Sequence, residues 1–211
     1  CAGNEAQTPP EVFADRAEGT APDAPGWRVR AFANLYPALA PDEGAHEVIV
    51  NSPRHVGSLG DLTDDEASRA VAVWGRRLDS LARDPRGPWP FLFLNQGAAA
   101  GASLQHSHAQ LIGLPFDPPR LVALEAAFAA TNRCPICADI DDAGARIVAT
   151  GAGLVAWCPA VPPLSGAVRV APVAHQPDWA AALDAGALGR MLRHQARRIA
   201  DVSGNDALNL W

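Results

Sequence analysis

Two histidines one residue apart, His106 and His108, stand just ahead of Gln110 at the end of the run Gly97-Ala-Ala-Ala-Gly-Ala-Ser-Leu-Gln-His-Ser-His-Ala-Gln110. A neutral imidazole is a nucleophile toward phosphorus. Attack by His108 would form a phosphoramidate and split one difficult displacement into two easier ones, with no part for water. Gln110 can donate a hydrogen bond to a phosphate oxygen but cannot supply a proton, so its position favours group transfer over hydrolysis. Upstream, Gly97 and Gly101 let the backbone turn tightly and present amide N–H groups to an anion, and Ser103 adds a hydroxyl. A lone histidine on a strand is ordinarily a satisfied core or surface group. Two at alternate positions behind a Gly- and Ser-bearing loop read as a site.

To act on one substrate these groups must share a face. An extended backbone places His106, His108 and Gln110 on one side and Ser107 and Ala109 on the other, and the run leads straight into the apolar strand Leu111-Ile-Gly-Leu114. Further strands are predicted over Trp27 to Phe32, His46 to Val50, Phe91 to Leu94 and Ala207 to Trp211. Thr63-Asp-Asp-Glu66 has capping-box form and predicts a helix over 63–81, with Ala67, Val71, Trp74, Leu78 and Leu81 making the face that packs on a sheet. A second helix is expected over about 185–199, and a short one over Leu121 to Thr131. The stretch from Glu11 to Gly26 reads as a surface loop ahead of a strand. Arg190, Arg193, Arg197 and Arg198 read as a solvated helix face.

His46-Glu-Val-Ile-Val-Asn-Ser-Pro-Arg-His55 aligns weakly with Gly166-Ala-Val-Arg-Val-Ala-Pro-Val-Ala-His175 further along the chain. The expectation is an α+β fold of two pseudo-repeated modules, residues 1–125 and 126–211, each an antiparallel sheet with a helix, the second unfinished at Trp211. In the second half, Cys134-Pro-Ile-Cys137 together with His175, the repeat-equivalent of His55, offers three ligands of a tetrahedral zinc site. Cys158 reads as a buried small hydrophobe, and His46 and His194 have no motif around them.

Composition narrows the setting. With 48% apolar and 19% charged residues, the 211-residue chain has the make-up of a folded protein. A net charge of -6 disfavours binding to nucleic acid, so phosphate recognition must be local. No stretch approaches the roughly 18 apolar residues of a membrane helix, and no basic segment leads an apolar run at the start; the protein is read as cytoplasmic.

Gly101-Ala-Ser-Leu-Gln-His-Ser-His-Ala-Gln110 resembles the Gly-x-Ser-x-x-His-Pro-His-x-Gln signature of the galactose-1-phosphate uridylyltransferase family, a branch of the histidine-triad (HIT) superfamily, with Ser107 where the family more often has proline. Cys1-Ala-Gly-Asn-Glu-Ala-Gln-Thr-Pro-Pro-Glu11, Asn34-Leu-Tyr-Pro-Ala-Leu39 and Asn51-Ser-Pro-Arg-His55 are similar to other segments of that family. The resemblance implies a HIT-like fold and transfer of a nucleoside monophosphate, UMP, from a nucleotide-sugar to a sugar phosphate through a nucleotidyl-His108. It implies that Gln110, Ser103 and Asn95 contact the phosphates, that Asn34 lies near the nucleoside, and that zinc is held by Cys1, His55 and His106. The fourth zinc ligand would precede Cys1, so the natural chain is expected to begin earlier. A homodimer, with the site completed across its interface, is implied as well. Asn34 to Leu39 also resembles the ADP-glucose phosphorylase branch, and the residues do not choose between uridine and adenosine. Outside enzymes, the alternative is a nucleotide- or zinc-binding relative without catalysis.

Overall fold

The structure, a computed structural model, describes residues 2–131, 133–176 and 184–211. Its larger sheet has six antiparallel strands, β1 (Glu11–Arg16), β2 (Trp27–Ala33), β3 (His46–Val50), β4 (Trp89–Gln96), β5 (His108–Leu114) and β9 (Leu208–Leu210), in the order β1-β2-β3-β5-β4-β9. A smaller sheet holds β6 (Ile147–Gly151), β7 (Leu154–Trp157) and β8 (Arg169–Pro172), also antiparallel. Among the described residues the α-helices are α1 (Asp64–Leu81), α2 (Pro119–Ala129), α3 (Pro135–Asp141) and α4 (Ala185–Ser203). This is the α+β class that the patterning predicts.

Period-2 alternation gives the large sheet two unlike faces. Val29 and Ala31 of β2, Ile49 of β3, Ala109 and Leu111 of β5 and Leu94 of β4 are buried on one of them, where they meet Ala67, Ala70, Val71 and Trp74 of α1. The capping box that starts α1 is formed: Thr63 Oγ1 accepts from Glu66 N–H, and Glu66 Oε2 accepts from Thr63 N–H at 2.7 Å. Arg77 of α1 forks onto the buried Glu47 carboxylate of β3, Nε at 2.9 Å and Nη2 at 2.6 Å, which ties helix to sheet with a charge-assisted pair on the core side.

Helix α4 lies against α1 and extends the same core with Ala187, Leu188 and Ala196. Strand β9 pairs antiparallel with β4, Asn95 opposite Asn209, so β9 belongs to the larger sheet. Buried Gln96 braces the junction: its Oε1 accepts from Leu59 N–H at 2.7 Å, and its amide donates to the Asp206 carbonyl. In the small sheet Leu154 faces the main core, while Val155 and Trp157 face a second, small core with Ile136 and Ile140 of α3. The Trp157 indole donates to Asp139 Oδ2 at 2.8 Å, fastening that helix to its sheet.

Several local expectations change. Residues 11–16, expected in a loop, form edge strand β1, which pairs with β2, packs Phe13 against the main core and sets its Asp15 against Arg28 at 2.7 Å. β4 extends beyond Phe91–Leu94 and contains Pro90; β9 reaches only Leu94 to Gln96, so at Pro90 one side of β4 is an edge and no ladder N–H is needed there. The arginines of α4 are not simply solvated. Arg193 donates to the Leu62 carbonyl and pairs with Asp64 (3.0 Å), and Arg198 donates to the Val148 carbonyl at 2.5 Å. Cys158 is half-buried rather than buried. Among the described residues no helix is long and apolar enough to cross a membrane.

The approach of α4 to α1 depends on Gly189, where an added Cβ would lie 2.6 Å from the carbonyl carbon and oxygen of Ala67. Backbone atoms cannot rotate away. Gly189→Ala is expected to destabilise by about 1–3 kcal/mol from overpacking, against a helix-propensity gain of about 1 kcal/mol, so the net change measured by urea unfolding is a loss.

Candidate active site

β5 carries the centre of the site. Ser107 and Ala109 turn to the core while His108 and Gln110 lie on the opposite face, as alternation requires; His106 sits just before the strand, in a bend over 103–106. The bend follows a turn in which Gly97 (φ +77°) and Gly101 (φ +85°) occupy the left-handed half of backbone space that side chains avoid.

Ser107 pins the segment. Its carbonyl accepts from Asn51 N–H at 3.1 Å, its N–H donates to the Val56 carbonyl at 2.6 Å, and its Oγ accepts from Asn51 Nδ2 at 3.0 Å. Asn51, fully buried, is oriented in turn by the Trp74 indole N–H, which donates to its Oδ1 at 3.0 Å. An indole nitrogen only donates, so the amide has no choice of orientation.

The two histidines are oriented by carbonyls. His108 Nδ1 lies 2.7 Å from the His106 carbonyl oxygen, and His106 Nε2 lies 2.8 Å from that of Ser52. A carbonyl oxygen only accepts, so His108 carries its proton on Nδ1 and presents a lone pair on Nε2, while His106 carries its proton on Nε2 and has its lone pair on Nδ1. Burial holds His106 below the ordinary imidazole range, favouring the neutral form. The His55 ring stands edge-on to that of His106 with centroids 5.5 Å apart, so the structure brings together two of the three residues expected at a first metal site. Cys1, the third, lies outside the described residues.

The remaining expected residues divide into two groups around His108. Asn95 is on β4 and its Oδ1 accepts from Asn209 Nδ2 at 2.9 Å; Asn209 also donates to the Ala100 carbonyl of the glycine turn at 2.9 Å. Ser103 is exposed in the bend. On the other side, Asn34 Nδ2 is 3.5 Å from Gln110 Oε1, and His46 Nε2 is 2.9 Å from the same oxygen. His46 and Asn209 are missed by sequence reasoning. For Asn209 the signal is the alternation Leu208-Asn-Leu210, a polar residue between two that face the core; for His46 it is a polar group at the head of an apolar strand.

The second cysteine pair is placed as the spacing suggests. Ligand atoms of Cys134, Cys137 and His175 all lie within 4.8 Å of one another, and Cys137 Sγ is 3.4 Å from His175 Nδ1. Sulfur and nitrogen ligands of one tetrahedral zinc are separated by about 3.5 Å, given their bond lengths, so the trio fits such an ion. Burial alone would raise the Cys134 thiol, but donations from the Cys137 N–H, the Cys137 thiol and the Ile136 N–H outweigh it and bring the thiol below its usual value, which suits a metal ligand.

The family model for the N-terminal domain of galactose-1-phosphate uridyl transferase matches residues 7–118. The ADP-glucose phosphorylase of Arabidopsis thaliana is 32% identical over 160 residues, covering 65% of this chain and 44% of that protein. The galactose-1-phosphate uridylyltransferase of Streptomyces lividans is 36% identical over 112 residues, covering 53% and 32%. The chain therefore spans less than half the length of these relatives. Among solved structures, that of the Arabidopsis thaliana ADP-glucose phosphorylase with bound ADP-glucose superposes with a TM-score of 0.86 at 27% identity, over 99% of this chain and 71% of the other. A uridylyltransferase structure superposes at 0.78 with 23% identity, over 90% and 71%, and shares the fold.

Glu66 connects the helix cap to the segment that carries His55. Arg54 lies against its carboxylate (2.7 and 2.5 Å), and despite partial burial this pairing, with Thr63 N–H and Ser52 Oγ, lowers its pKa from 4.5 to about 2. A carboxylate depressed in the folded state adds stability that is present above pH 4.5 and is lost as pH falls through about 2. The stability difference between the wild type and Glu66→Gln, measured by denaturant titration at several pH values, should be largest above pH 4.5 and shrink toward pH 2.

Proposed function

Since the chain belongs to the galactose-1-phosphate uridylyltransferase family, we propose that it is a nucleotidylyltransferase, moving UMP from a nucleotide-sugar to a hexose 1-phosphate through a covalent nucleotidyl-His108. The observation that carries this reading is the hydrogen bond from His108 Nδ1–H to the His106 carbonyl at 2.7 Å, which leaves the Nε2 lone pair as the reacting one. In the first step Nε2 attacks the α-phosphorus, a P–N bond forms, the P–O bond to the sugar phosphate breaks, and the sugar phosphate departs with that electron pair. Positive charge then develops on the imidazole, and the same carbonyl stabilises it through the Nδ1–H. In the second step an acceptor phosphate oxygen attacks, the P–N bond breaks, and its pair returns to Nε2. No proton has to move in either step, which suits a glutamine at position 110. Gln110, Asn95 and Ser103 are the groups we assign to the phosphates, and Asn34 to the nucleoside side.

A second donor reading has its own support. The ADP-glucose phosphorylase relative aligns over more of this chain than the uridylyltransferase one, which favours an adenylyl donor with phosphate as acceptor. The chemistry at His108 is the same in both cases.

Zinc is the metal proposed, at Cys134, Cys137 and His175, and in the first half at His55 and His106 with Cys1. Bound there it would act as a structural tie, fixing the bend that carries His106 and the start of α3. A cysteine pair ligating metal suits a reducing, cytoplasmic compartment. Association into a homodimer, and a division into modules at 1–125 and 126–211, belong to the same proposal.

Incubation with UDP-glucose or ADP-glucose radiolabelled at the nucleoside-linked phosphate should leave acid-labile, alkali-stable label on the protein, with the labelling donor naming the base. His108→Ala should take up none while unfolding like the wild type; label retained in that variant would overturn the mechanism. Metal analysis of Cys134→Ser should show one zinc fewer per chain than the wild type, and an unchanged content would remove the second site.

A further inference from the structure

His46 belongs to no motif, yet it links a loop amide to Gln110. Its Nδ1 lies 3.1 Å from the backbone N–H of Ala38, and its Nε2 lies 2.9 Å from Gln110 Oε1. A backbone N–H can only donate, so Nδ1 must be the acceptor and the proton must sit on Nε2, which then donates to Gln110 Oε1. Asn34 repeats the arrangement. Its Oδ1 accepts from Tyr36 N–H at 3.0 Å, which turns its Nδ2 toward the His46 ring, 3.2 Å from Nε2 and 3.5 Å from Nδ1, and toward Gln110 Oε1 at 3.5 Å; near-equal distances to both ring nitrogens put Nδ2 beside the ring rather than on the lone-pair axis of either one. Both donors meet the carboxamide oxygen, so the Gln110 NH2 is turned away from them. The other His46 tautomer would face two donors at Ala38 and would admit Gln110 only with its amide reversed.

We propose that His46 is a positioning residue for nucleotidyl transfer: anchored by Ala38 N–H, it fixes the Gln110 carboxamide so that its NH2, and not its oxygen, is presented to the phosphate at His108. This rests on the reading of His108 as the nucleotidylated group. A reversed Gln110 would set an acceptor oxygen against the anionic oxygens that gather charge in the transition state, so the effect falls on the chemical step. Burial works in the same direction, since it holds His46 below the ordinary imidazole range and keeps Nδ1 able to accept.

His46→Leu removes both hydrogen bonds, while His46→Gln carries an acceptor and a donor side by side and can restore them without titrating. The first-order rate of protein labelling by the radiolabelled donor should fall about tenfold to a hundredfold in the leucine variant, with the donor concentration at half-maximal rate changed less than about threefold. The glutamine variant should stay within about fivefold of the wild type. Leucine and glutamine variants that are equally slow, a leucine variant as fast as the wild type, or an effect confined to the half-maximal concentration would each overturn the proposal. Nitrogen-15 spectra of the unliganded protein decide the geometry independently of turnover. Nε2-protonated His46, with the Gln110 side-chain amide signals displaced in His46→Leu, is the expected result; the Nδ1-protonated form overturns it. A wild-type protein that takes up no label from either donor would refute the assigned function, and these spectra would still decide the His46 to Gln110 link.

Discussion

The contact between His108 Nδ1 and the His106 carbonyl fixes which ring nitrogen carries the proton with no acid or base involved, because a peptide oxygen has lone pairs and nothing else to offer. Everything around it keeps that oxygen in place. The Ser107 peptide is held between Asn51 and Val56, Asn51 is oriented by Trp74, and Trp74 rides on a helix whose first turn is closed by its capping box and whose flank is tied to β3 through Arg77 and Glu47. Each hydrogen bond in this buried series adds about 1 kcal/mol net, whereas stranding one partner costs about 1–3 kcal/mol. The series therefore acts less as a source of stability than as a penalty on any other arrangement of the loop.

The sheet divides its labour by face. One side is given to packing, with Ile49, Ala109 and Leu111 under α1, and carries no reactive group. The other side gathers Asn34, His46, His108, Gln110, Asn95 and Asn209 from five strands and the ends they lead into. Asn34, His46, His108 and Asn209 are each oriented there by a backbone carbonyl or N–H, a group with a single hydrogen-bonding role. The transfer proposed for His108 would gain from such rigidity, since its nucleophile must be neutral and correctly turned before the phosphate arrives.

The arrangement of the proposed reactive centre was legible because it is local. Alternation over residues 106–110 places His108 and Gln110 together whatever the rest of the chain does, and the Thr63–Glu66 box marks its helix start for the same reason. Cys134 and Cys137 were legible from spacing, with His175 supplied by the internal repeat. What sequence could not supply is which strand lies beside which. His46 stands opposite Ile112 in the ladder and reaches Gln110 diagonally, so its role exists only once the β3–β5 register is known. Strand β1 was not legible because its few apolar residues, Val12 to Ala14, stand between charged ones. Helix α3 could have been marked by Pro135, a residue favoured at a first helical position, but the cysteines on either side drew the eye to metal.

Asn95 takes its orientation from Asn209, far along the chain, through a strand of three residues. The loop closed by that contact is long, and its entropic cost must be met before the short β4–β9 ladder can repay it. A folding molecule can thus assemble the proposed nucleophile from nearby sequence, histidine tautomer included, while the asparagine that flanks it still lacks its partner. On the proposed assignment of Asn95 to the phosphates, that side of the site would be completed late in folding, and the same three-residue strand is where a local opening would first undo it.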